Sequence, residues 1–172
     1  MATRTAESGL PRAKVPLAPE TYDRVLAAAA VVLLAAVAVS IWRGRAEWSQ
    51  LPPVLWAHIG TIVLAVGLTP IMLLRRRGDR LHRQLGWVWS AAMTLTALST
   101  FGIRGLNGGA VSLIHILSLW TLLQVPLIVW SARTHDIARH RGAVRGMVTG
   151  ALIIAGIFTF PFDRLMGRWL FA

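Results

Sequence analysis

The apolar positions of this chain fall in long blocks and do not recur at helical or strand spacing within a polar background. Five blocks stand out, at residues 25–42, 51–74, 85–103, 110–132 and 143–162. A run of about 18 or more apolar residues reads as a membrane-spanning helix. Inside lipid a helix satisfies all its backbone polar groups within one segment, and the strands of a barrel would alternate in polarity. The pattern therefore predicts an all-α membrane protein with five transmembrane helices. Residues 1–22 are polar, carry Pro11, Pro16 and Pro19, and read as a flexible cytoplasmic tail. Residues 23–172 read as a single transmembrane domain. The first block follows too long a leader, and is itself too long, for a cleaved signal peptide, so a retained span is expected.

Composition agrees with this reading. Of the 172 residues 55% are hydrophobic and only 15% charged, and the mean hydropathy is +0.59. There is no cysteine, which excludes disulfides, thiolate metal sites and cysteine nucleophiles. The net charge of +11 would suggest nucleic acid in a soluble protein. Here the basic residues sit in the loops, so membrane lipids are the expected partners and nucleic acid is not. On one side of the five spans lie 13 Lys and Arg residues, in the tail and around residues 75–83 and 133–145; the other side carries 5. By the positive-inside rule the N-terminus is cytoplasmic and the C-terminus is periplasmic, in a bacterial inner membrane. Trp42, Trp48, Trp56 and Trp169 then fall near the outer interface, and Trp87, Trp89 and Trp130 near the inner one, as aromatic anchors do. Arg145 falls inside the fifth block, near enough to its end to snorkel.

The chain also repeats. His58 is followed by Pro70 and then His82-Arg83; His115 is followed by Pro126 and then His140-Arg141. Two hairpins of the same in–out sense predict a pseudo-two-fold four-helix bundle of spans two to five, with span one added. Small residues at Gly142, Gly146 and Gly150 make a stripe on the fifth span, and Gly146 is expected to face a neighbouring helix. Gly86, Ser90 and Thr94 make a similar stripe on the third.

All seven acidic residues lie outside or at the ends of the blocks. That argues against carboxylate ion coordination or a carboxylate proton relay in mid-membrane. The ionisable groups well inside the apolar blocks are His58 and His115, at similar expected depth. Burial favours neutral imidazole, the form that ligates metals. Three readings stay open for this pair: histidines held in packing by hydrogen bonds, a shared metal or haem, or a quinone-like ligand. His82 and His140, beside arginines at helix ends, read as headgroup anchors or as a second pair.

Four histidines, one per helix, resemble the layout of two-haem transmembrane b-type cytochromes, including the ascorbate-linked ferric-reductase type. That resemblance implies an outer haem b between His58 and His115 and an inner one between His82 and His140. Separately, "HIGTIVLAVGLTPIMLL", "LHRQLGWVW" and "ARHRGAVRGM", spread over residues 56–160, resemble a family of small bacterial membrane proteins of unknown function. That likeness implies a fold and no activity. The expected function is an inner-membrane protein holding haem b or a quinone-like ligand for electron transfer. The alternative is a non-catalytic accessory or structural subunit with protein partners in a membrane complex.

Overall fold

The computed structural model describes residues 18–103 and 113–171. Most of the tail, and the start of the fourth block with Arg104, lie outside the described residues. The described residues are helical and include no strand. In chain order come α1 (Thr21–Arg43), a 3₁₀ segment (Gly44–Gln50), α2 (Pro53–Leu74), α3 (Arg80–Thr100), α4 (Leu113–Arg133), α5 (Ile137–Met147), a π-helical stretch (Val148–Ile154), α6 (Ala155–Ile157) and α7 (Leu165–Phe171). Three stretches, Thr21–Gln50, Pro53–Leu74 and Ile114–Arg133, are long and apolar enough to cross a membrane.

Helix ends follow local chemistry. Proline opens α2, where its missing N–H costs nothing. Gly78 takes a positive φ of 83° in the turn after α2, a conformation open to glycine at no steric cost. Asp79 then caps α3, accepting a 2.6 Å bond from the His82 backbone N–H. Asp136 caps α5 in the same way, accepting from the Arg139 N–H at 3.0 Å. Each histidine-arginine doublet therefore begins a helix just behind a capping aspartate. α3 and α5 start ahead of the apolar blocks, at Arg80 and Ile137, because these caps, and not the onset of hydrophobicity, set where the helices begin.

Neighbours in sequence pack on one another: α1 on α2, α2 on α3, α3 on α4, and α4 on α5. The π-helical stretch returns to α1 and closes the bundle. The core draws on every side of this ring, with Leu26, Ala30 and Leu33 from α1, Val66 and Leu73 from α2, Trp89 and Met93 from α3, Val125 and Ile128 from α4, and Met147, Val148 and Leu152 beyond. α1 is thus part of the core and not an appendage to it. Val32, Leu64, Leu95, Leu123 and Ile154 are exposed, as lipid-facing side chains of a membrane bundle are.

Three expectations are corrected by this packing. A Cβ on Gly142 or Gly146 would meet no atom within 4 Å, so the glycine stripe does not face a neighbour there; only its end, Gly150, lies against Trp120. Trp89 and Trp169 are each 3% exposed and belong to the interior, whereas Trp42, Trp87 and Trp130 are exposed as belt residues should be. Trp89 donates its indole N–H to Thr69 Oγ1 at 3.1 Å, which satisfies the buried polar tip. Trp169 lies directly over Gly44, where any side chain would collide with its ring, and this contact docks α7 onto the end of α1. Arg145 does not snorkel; it turns inward to an ion cluster described below.

Candidate functional site

The caps at Asp79 and Asp136 carry His82 and His140 to the same end of the bundle, the one rich in arginine. There the two imidazoles meet. Their ring centroids are 6.5 Å apart and their planes are inclined by 78°. His140 Nδ1–H donates to the Ile128 carbonyl of α4 at 3.1 Å. That bond assigns its tautomer and leaves Nε2 as the atom with a free lone pair. His82 Nδ1 is buried and has no hydrogen-bond partner. Burial pushes both imidazoles below their ordinary range; Arg77 and Arg75 push His82 the same way against the pull of Asp79, and Arg77 does so to His140 against its bond to the Ile128 carbonyl. The arrangement thus holds two neutral imidazoles close together, the state that ligates a metal or accepts a hydrogen bond.

Beside the pair opens a cavity of about 460 Å³, within the range of small-molecule and cofactor sites. Its walls are mostly apolar and aromatic, with Met72, Trp87, Trp89, Ile128 and Val148, while Arg83 and Arg133 stand among its polar lining.

His58 and His115, near the opposite end, are placed differently. His58 Nδ1–H donates to the Thr96 carbonyl at 3.2 Å and lies 3.0 Å from Ser99 Oγ. Thr96 Oγ1 donates in turn to Thr61 Oγ1 at 2.8 Å, so a polar ladder ties α2 to α3 there. His115 packs on Phe101, with centroids 5.6 Å apart. Each ring therefore has its described contact on α3 or its C-terminal end.

Sequence reasoning missed the residue that organises the arginine-rich end. Asp23 of α1 is 0% exposed. It accepts bonds from Arg77 (2.6 Å), Arg145 (2.8 Å), Arg141 (3.4 Å) and the Glu20 N–H (2.9 Å). Glu20 pairs with Arg141 and, at 2.9 Å, with Arg145. A buried carboxylate is tolerated only when paired and hydrogen-bonded, and these partners come from the α2–α3 turn and from α5. The cluster locks the start of α1 to the two elements that carry His82 and His140. The available signal was an aspartate just before an apolar block, in a chain with many more cations than anions.

No known protein family, curated protein or solved structure matches the chain.

Proposed function

We propose that the protein is an inner-membrane redox protein that holds haem b between His82 and His140. One observation carries this reading: two half-buried imidazoles at 6.5 Å between centroids, beside a cavity of cofactor size. His82 and His140 would be the two protein ligands of such a group. A bare ion would ask for about four protein ligands, and the described residues contain no group of three or more metal-binding side chains. A macrocycle brings four ligands of its own and asks the protein for two.

The surroundings support the same reading. The Ile128 carbonyl orients His140 as an outer-shell acceptor orients a ligating histidine. Arg83 and Arg133 are suited to the carboxylates at the edge of such a group. Met72, Trp87 and Trp89 supply apolar and aromatic lining. Haem b, when bound, would supply one-electron transfer; the chain's residues would supply its position and its two imidazole ligands. In this reading α3 and the α5–α6 stretch cross the membrane with the three more apolar helices, five spans in all. The 13-to-5 bias of basic residues then places the histidine pair at the cytoplasmic side.

The test is an optical spectrum. Protein purified in detergent, as isolated or after addition of haemin, should show a Soret band and an α-band that sharpens on reduction. Protein that stays colourless after haemin addition rejects the reading.

A further inference from the structure

The ion cluster and the histidine pair share a second, much smaller cavity of about 40 Å³, whose polar wall is Asp23, Arg77, His82, His140, Arg141 and Arg145. Two of these residues carry a buried nitrogen that lacks a partner: His82 through Nδ1 and Arg141 through Nε. Arg141 is 7% exposed, and its terminal nitrogen is held by Glu20 and Asp23. The guanidinium therefore cannot swing out to solvent. Its Nε always carries a hydrogen, so it needs an acceptor. Asp23 Oδ2 is taken by three donors, whereas Oδ1 receives one bond, from Arg145 Nε. Oδ1 keeps capacity to accept another. A water needs roughly 10–15 Å³ of such space and two to four polar partners. Size and partners are both present.

We propose that an ordered water fills this cavity, accepting from Arg141 Nε–H and His82 Nδ1–H and donating to Asp23 Oδ1. The water holds His82 in the Nδ1–H tautomer. His140 reaches that tautomer by another route, through the Ile128 carbonyl. Both rings then keep a bare Nε2. Arg141 and Asp23 become positioning residues, which act on the site through the water. The consequence for ligation rests on the haem reading; the water and the tautomer do not.

The test uses cofactor-free, full-length protein with ¹⁵N-labelled histidine, at about pH 8, where imidazole is neutral. Long-range ¹H–¹⁵N spectra should show His82 protonated at Nδ1 and bare at Nε2. In Arg141→Lys, which keeps the charge and lacks Nε, the His82 population should shift toward Nε2–H while His140 stays unchanged. A high-resolution structure of the parent protein should show one water within hydrogen-bonding distance of His82 Nδ1 and Arg141 Nε. If the lysine variant fails to fold, the parent's tautomer and density still decide. An Nε2–H His82 in the parent, or a dry cavity, overturns the proposal. A colourless protein with an Nδ1–H His82 would reject the haem and keep the water.

Discussion

His140 is tied by its Nδ1 to the Ile128 carbonyl of α4, while its ring stands 6.5 Å from that of His82 on α3. One side chain thus connects three helices. The capping aspartates hold the two helix starts in place, and they give the first prediction. Asp79→Ala should cost about 1 kcal/mol of stability through loss of the α3 cap. It should also weaken haem binding, because the turn that carries His82 loosens. Thermal unfolding in detergent and haem titration measure the two effects. Unchanged affinity would mean that the cap does not position His82.

Asp23 gives the second. Asp23→Ala leaves buried cations facing an emptied site, and breaking a buried pair from one side costs about 3–5 kcal/mol. The expected outcome is a large fall in the thermal midpoint or in the yield of folded protein. A midpoint within a few degrees of the parent's would show that the cluster is open to water.

Much of this molecule was legible in its sequence, and the limits have physical causes. Apolar blocks announce helices because lipid-facing and core-facing positions are both hydrophobic. They blur the ends of α3 and α5, since those ends are set by capping aspartates within polar turns. The repeated His-Arg doublet drew attention to His82 and His140, which the sequence offered as headgroup anchors or as a second pair. Spacing alone left anchor and pair open, because the meeting of the two rings depends on how two N-terminal turns dock. Asp23 was invisible for the same reason: its arginine partners lie 54, 118 and 122 residues away.

Glycines give the third prediction and separate spacing from contact. Gly146 sits in a small-residue stripe yet has open space around it, while Gly44 is covered by Trp169. Gly146→Leu should therefore leave the thermal midpoint equal to or above the parent's, since leucine favours helix by roughly 0.8 kcal/mol over glycine. Gly44→Leu should expel Trp169 and lower the midpoint. The reverse order of the two variants would contradict the packing described for α5 and α7.

The Trp89–Thr69 bond gives the fourth. Trp89→Phe and Thr69→Val each break one buried hydrogen bond between α3 and α2. A double-mutant cycle should return a coupling of about 0.5–1.5 kcal/mol. Additive losses would mean that the bond contributes nothing to stability.

The most direct test of the central claim compares four single variants, His58→Ala, His82→Ala, His115→Ala and His140→Ala, by haem titration of the purified proteins. The account predicts that His82→Ala and His140→Ala each lose the Soret band, or bind haem more weakly by well over the roughly 10–100-fold that outer-shell changes cost. His58→Ala and His115→Ala should keep the spectrum of the parent, with His58→Ala lowering stability through its lost bonds to α3. Loss of the band in His58→Ala and His115→Ala, with His82→Ala and His140→Ala unaffected, would contradict the account and move the cofactor to the opposite end of the bundle.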